Sequence, residues 1–196
     1  MNICRPKMYK KNIFEIDYNK LKEMGIKCIV FDLDNTLGMI DNKKCPRNTK
    51  KLIKDLQNDF LVLICSNNFK KRIKPYMLDL GVGGVSFSMK PFTFGLQKIK
   101  HKYNLKKKEM CLIGDQIVTD VICANSFRIL SILVDPLGEK DLKITGINRK
   151  LEAKIIKFYK KRGLFERGTY YEWWEEMSRM WSITSKWEYF TRRIYN

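Results

Sequence analysis

Unbroken apolar runs alternating with helix-patterned segments predict an α/β fold: a doubly wound, Rossmann-like parallel sheet of about five strands. Runs such as Cys28-Ile29-Val30-Phe31 and Phe60-Leu61-Val62-Leu63-Ile64-Cys65 are apolar at every position, as strands covered on both faces must be. Between them lie segments with a single apolar stripe, such as Leu52, Ile53 and Leu56. The runs end in polar clusters, Ser66-Asn67-Asn68 and Gly114-Asp115-Gln116 among them, and right-handed crossovers place all such ends on one edge of the sheet.

In order, residues 1–17 carry Arg5-Pro6-Lys7 and basic-aromatic residues and are expected to lie on the domain as an arm. Residues 18–24 suit a short helix closed by Gly25, and the first strand, ending at Phe31, follows. A helix over 48–56 leads to the second strand, and a helix over 70–80 closes at Gly81. Val85-Ser86-Phe87-Ser88 reads as the third strand, and Pro91 suits the start of a helix running to about residue 103, since its missing N–H has no partner there anyway. Met110-Cys111-Leu112-Ile113 is the fourth strand, a helix spans about 118–125, and a fifth strand over 129–134 stops at Asp135-Pro136.

The 196 residues suit one core with an appendage. No apolar run is long enough to cross a bilayer, and the start lacks a signal-peptide core. Six cysteines without a Cys-x-x-Cys pair point to a reduced, cytoplasmic chain, and His101, the single histidine, gives a zinc site or a histidine-based triad little to draw on. The formal charge of +18 favours a polyanionic partner: nucleic acid, an anionic membrane or phosphorylated substrates. The lysine runs, Lys70-Lys71-Arg72 and Lys106-Lys107-Lys108 included, also suit solvated helix ends and loops.

The strand ends hold the chemistry. Asp32 and Asp34 close the first strand two residues apart, a spacing that puts them on one side of extended backbone. Two such carboxylates repel unless a cation or a shared proton lies between them, which suits a divalent-metal site with one nucleophilic and one acid/base carboxylate. An acidic turn after a core strand has the same appearance. The second strand delivers Ser66 and Asn67, Lys90 follows the third, and the fourth delivers Asp115, with Asp120 a helical turn on. Carboxylates, a hydroxyl and a cation around one cleft suit phosphoryl transfer. Ser66-Asn67 and Asp120 also suit plain helix capping, and Lys90 a solvated lysine.

Asp32-Leu33-Asp34-Asn35-Thr36, Ser66-Asn67-Asn68, Lys90-Pro91 and Gly114-Asp115-Gln116-Ile117-Val118-Thr119-Asp120 resemble the four motifs of the haloacid-dehalogenase-like (HAD) phosphatases. Their detailed form, with Asn148-Arg149-Lys150-Leu151-Glu152, resembles the bacterial YqeG subfamily and mitochondrial phosphatidylglycerophosphate phosphatases. The resemblance covers residues 5–165 and implies a capless HAD fold whose Asp32 attacks phosphorus while Asp34 acts as acid and then base. It further implies that Ser66, Asn67, Lys90 and Thr36 serve the phosphate, and that Mg²⁺ is held by Asp32, the main-chain oxygen of Asp34, and Asp115. Asp120 and Asn35 support the site from behind. About thirty residues separate Asp34 from Ser66 and about two dozen separate Ser66 from Lys90, too few for a cap domain. An open cleft admits a large phosphate ester, such as a lipid headgroup at the inner face of a membrane. The alternatives are a phosphatase for nucleic-acid ends or phosphoproteins, and a non-catalytic nucleic-acid-binding module using the basic surface.

Residues 1–167 are thus expected to form the phosphatase-like domain and 168–196 a helical extension. Tyr170, Trp173, Met177, Met180, Thr184, Trp187, Thr191 and Ile194 recur at spacings of three and four, and all four tryptophans lie in this stretch. Such a helix suits a membrane interface, its own domain or a second chain.

Overall fold

Strands that are apolar on both sides need cover on both sides, and the alternation of side chains along each strand divides that cover in two. The computed structural model describes residues 3–42, 44–138 and 143–172, with main chain alone for 143–147. Its strands are β1 Met8–Lys10, β2 Cys28–Phe31, β3 Leu61–Cys65, β4 Gly83–Val85, β5 Met110–Gly114, β6 Leu130–Val134 and β7 Tyr171–Glu172. They form one sheet in the order β4-β3-β2-β5-β6-β1-β7, parallel except for β7. The helices are α1 Tyr18–Glu23, α2 Arg47–Leu56, α3 Lys70–Leu80, α4 Phe94–Lys102, α5 Ile122–Phe127 and α6 Lys143–Lys160.

Odd-numbered residues of β2, Ile29 and Phe31, join Ile53 of α2 and Ile73 and Tyr76 of α3 in one core. Even-numbered Cys28 and Val30 join Leu96 and Ile99 of α4 and Phe127 of α5 in the other. A third cluster packs Tyr9, Leu133 and Ile117 against Tyr159 and Phe165. Asp17 caps α1 by accepting the Lys20 N–H, and α3 stops at Gly81, whose φ of 65° is left-handed. Segments 32–46 and 86–93 connect their elements without an inserted domain among the described residues, consistent with a capless fold.

The doubly wound sheet is as expected, but wider. Residues 8–10 are a strand beside β6, not an arm laid over the domain, with Met8 opposite Ile132. The third strand is Gly83–Val85 rather than 85–88. Pro91 does not open α4, which starts at Phe94, because the main chain at Lys90 is held in a turn by Asn67. A π-helical turn over Ile117–Val121 precedes α5 where an α-helix from about 118 was expected. Tyr171 and Glu172, at the start of the stretch read as a helical extension, form β7; the rest of that stretch, from residue 173, lies outside the described residues. Among the described residues no helix is long and apolar enough to cross a membrane.

Candidate active site

The strand order reverses at β2: successive strands β3 and β4 lie to one side of it, β5 and β6 to the other. The carboxyl ends of β2 and β5 therefore flank a switch point, where open α/β sheets place their ligands. Asp32, just past β2, donates its main-chain N–H to Ile113 of β5 at 2.8 Å, and Asp115 lies just past β5. The π-helical turn then swings Asp120 back over the strand end. A Cβ at residue 114 would collide with the Asp120 carboxylate, so glycine is what lets that side chain approach.

Lys90 joins the acids. Its Nζ donates to Asp32 Oδ1 at 2.5 Å and to Asp120 Oδ1 at 2.6 Å, with all three residues buried. Carboxylate oxygens of Asp32, Asp115 and Asp120 lie within 4.8 Å of one another. Burial pushes the Asp32 carboxyl up to about 7; Lys90 opposes the shift and Asp120 adds to it. Burial, then Asp120 and Asp32, raise Asp115 well above the usual carboxylate range, against the pull of Arg149. Burial alone would lower the Lys90 ammonium, but Asp120 and Asp32 outweigh it and hold its pKa raised. Lys90 and Arg149 bring two positive charges to three carboxyl groups, one fewer than full ionisation requires, and oxygen donors so grouped fit a hard divalent cation.

Asp34 is placed differently from what a spacing of two suggested. Its carboxylate is not among the three whose oxygens lie within 4.8 Å of one another, although it adds to the upward shift of Asp32. Instead it accepts from Arg72, Nε at 3.1 Å and Nη2 at 2.6 Å, and from Asn68 Nδ2. Its side chain is outside the grouped carboxylates, while Asp120, expected behind the site, is inside. Asp120 also caps the turn as the plainer reading expected, accepting the Gln116 N–H at 3.1 Å. Asn35 takes a left-handed φ of 61° and donates its N–H to Gly38 O, closing the turn after Asp34. Thr36, expected at the phosphate, is buried with its hydroxyl 3.4 Å from Asp115 Oδ1, long for an O–H···O bond. Ser66 is buried at the end of β3 and its Oγ accepts the Asn68 N–H.

Asn67, expected to serve the phosphate, braces Lys90 with its side chain. Nδ2 donates to Lys90 O at 2.8 Å, and Oδ1 accepts from Lys90 N at 2.7 Å and from the Ser88 hydroxyl at 2.9 Å. A second group was missed. Arg149 on α6 pairs with Asp115 Oδ2 at 2.5 Å and with Glu152 Oε2 at 3.0 Å, and Arg167 reaches Glu152 Oε1 at 2.8 Å. Glu152 in turn accepts the Ile117 N–H that opens the π-helical turn. A cleft of about 420 Å³, lined by Asp135, Gly138, Arg149, Glu152 and Arg167, opens beside Asp115. Arg149 and Glu152 lie three apart in the Asn148–Glu152 segment, on one helical face, a spacing that could have found them. Arg72 stands near the start of the helix after Ser66-Asn67-Asn68, but its basic neighbours made it look like part of a solvated run.

A family model described as mitochondrial PGP phosphatase matches residues 1–73, and one described as HAD-hydrolase-like matches residues 88–141. The probable phosphatase YqeG of Bacillus subtilis (strain 168) is 35% identical over 175 residues, covering 87% of this chain and 96% of that protein. The chain belongs to the YqeG-like HAD phosphatases. This YqeG-like phosphatase is also 23% identical over 170 residues to the chloroplastic/mitochondrial phosphatidylglycerophosphate phosphatase 1 of Arabidopsis thaliana, covering 81% of this chain and 49% of that protein. Among solved structures, an uncharacterized protein of Listeria monocytogenes serotype 4b superposes with a TM-score of 0.49 at 16% identity, over 60% of this chain and 85% of the other. The cobalt-bound deoxy-D-mannose-octulosonate 8-phosphate phosphatase of Haemophilus influenzae superposes with a TM-score of 0.47 at 17% identity, over 69% and 90%.

Proposed function

We propose that this phosphatase hydrolyses phosphomonoesters through a phosphorylated Asp32, and that its substrate is a large ester presented at a membrane surface, such as phosphatidylglycerophosphate. The observation that carries the chemistry is Asp32 itself: buried at the switch point, paired with Lys90 and grouped with two further carboxylates. Asp32, Asp115 and Asp120, with the main-chain oxygen of Asp34, would hold Mg²⁺. When bound, the ion supplies positive charge to the phosphoryl oxygens and lets carboxylate and phosphate approach.

Asp32 Oδ attacks phosphorus and the ester P–O bond breaks. Asp34 gives its proton to the departing oxygen, then takes one from the water that attacks the aspartyl phosphate, which frees inorganic phosphate and restores Asp32. Lys90, locked by Asn67, neutralises charge shared by Asp32 and the phosphoryl group. Ser66 Oγ and the Asn67 main-chain N–H receive phosphoryl oxygens. Arg72 and Asn68 orient Asp34 toward the leaving group.

A lipid ester is supported by the family model matching residues 1–73 and by the Arabidopsis relative's name. The uncapped cleft supports a bulky substrate. With Mg²⁺ and an aryl phosphate, the wild-type chain should release phosphate and Asp32→Asn should not; turnover by the variant removes Asp32 as nucleophile. A panel of phosphorylated lipids, sugars, nucleotides and peptides then ranks the substrates, with phosphatidylglycerophosphate expected first.

A further inference from the structure

Exposed apolar side chains gather at the site's mouth. Phe69 is 73% exposed, Phe92 62% and Phe87 58%, and Phe94, Met39 and Met89 are also exposed. All but Phe94 are tied, directly or through a neighbour, to a residue of the site. Phe69 follows Asn68, and Phe87 donates its N–H to Asn68 O at 2.8 Å. Met39 O accepts from Arg72 at 3.2 Å. Met89 precedes Lys90, and the Phe92 N–H returns to Met89 O. The aromatics form two pairs, Phe69 stacked on Phe87 with centroids 5.7 Å apart and Phe92 against Phe94 at 6.2 Å, on either side of the segment that delivers Lys90.

Neither pair belongs to a core cluster, and water is a poor solvent for four neighbouring phenyl rings; exposed apolar groupings of this kind mark contact surfaces. Exposed Lys70 and Lys71 follow Phe69 directly, on a chain of net charge +18. Apolar rings interleaved with basic residues match an anionic bilayer, where rings enter the acyl boundary and lysines meet lipid phosphates.

We infer that the Phe69–Phe87 and Phe92–Phe94 pairs are a docking rim that seats the active-site mouth on an anionic phospholipid surface. The inference deepens the reading of a membrane-presented substrate and rests on it. Asp32 lies buried at the bottom of the mouth, so an ester held at the headgroup level reaches it only when the rim itself lies on the bilayer. The rim thereby selects lipid-borne esters by placement.

The test compares the full-length wild type with a variant carrying Phe69→Ser, Phe87→Ser, Phe92→Ser and Phe94→Ser, and with a second carrying Lys70→Glu and Lys71→Glu. Each is co-sedimented with phosphatidylcholine vesicles with and without phosphatidylglycerol and assayed on an aryl phosphate in solution; thermal unfolding checks the fold. The wild type should sediment with phosphatidylglycerol vesicles, and both variants should lose at least about ten-fold of that binding. Both should keep the wild-type unfolding midpoint and aryl phosphate turnover. Wild-type failure to bind, or equal binding by the serine variant, overturns the rim. So does a wild-type dimer that the serine variant dissolves, which would assign the rings to a second copy of the chain. Rim-dependent vesicle binding without phosphate release from any ester upholds the rim and removes the phosphatase chemistry instead.

Discussion

Lys90 spends its whole ammonium on two buried acids, Asp32 and Asp120, and the balance is sensitive to its loss. Lys90→Met keeps the side chain's length but leaves two carboxylates facing each other without a counter-charge. Breaking a buried pair in this way costs about 3–5 kcal/mol. Urea unfolding should register that loss, and Asn67→Ala, which frees the main chain around Lys90 and the Ser88 hydroxyl but unpairs no charge, should lose less. Gly114→Ala tests the same cluster from beneath, because its methyl group would displace Asp120. Overpacking of this kind costs about 1–3 kcal/mol, and phosphate release should fall with it. The acids were legible in the sequence because each ends a strand, and strand ends share one edge. The arginines were less so. Arg72 and Arg149 reach Asp34 and Asp115 from helices, through long side chains whose direction depends on how those helices pack.

At the level of elements, what escaped the sequence was structure without an apolar run of its own. β1 has three residues and follows Arg5-Pro6-Lys7, so only its pairing with β6 and β7 makes it a strand. Met8 is fully buried there, and Met8→Ala should cost about 2–5 kcal/mol in urea unfolding; a residue of an arm lying loosely on the surface would cost almost nothing. β4 was placed two residues late for a related reason: glycines are depleted in strands. Here Gly84 is needed, because a Cβ would come within 2.5 Å of Ile64 O on the neighbouring strand. The helices were legible from their stripes, but not their mutual links. Lys50 on α2 meets Asp79 on α3 at 2.5 Å, and that hydrogen bond holds the Asp79 carboxyl below its ordinary 3.8. A carboxylate shifted downward stabilises above its unfolded value and ceases to do so as pH falls through the folded one. Asp79→Asn should therefore lower stability at neutral pH by about 0.2–1 kcal/mol, as for other exposed pairs. The difference from wild type should vanish as acid is added below pH 3.8.

For the molecule as a whole, alternation of strand and helix was enough to place β2, β3, β5 and β6, and with them the switch point between β2 and β5. The outer edge was not legible, since it joins stretches far apart in the sequence, residues 8–10 and 171–172. There β1 lies between β6 and β7, and the last described residues complete a network around Tyr9. The Gly168 N–H donates to Tyr9 Oη at 3.1 Å, the Tyr170 ring lies 4.9 Å from that of Tyr9, and Tyr170 Oη donates to Asp135 at 2.6 Å. Tyr171 Oη donates to Pro6 O at 2.8 Å, and Glu172 pairs with Lys10. This edge backs onto the active site, because Arg167 bridges Asp135 and Glu152. Two truncations separate the contribution of β7 from everything beyond it: a chain ending at Glu172 retains the network, and a chain ending at Arg167 lacks it. Losing two aromatic contacts and several hydrogen bonds should cost about 2–4 kcal/mol. For a chain of this size, the shorter form should melt at least about 4 °C below the longer one. Differential scanning calorimetry reads the difference directly, and equal melting temperatures would show that β7 contributes nothing to the fold.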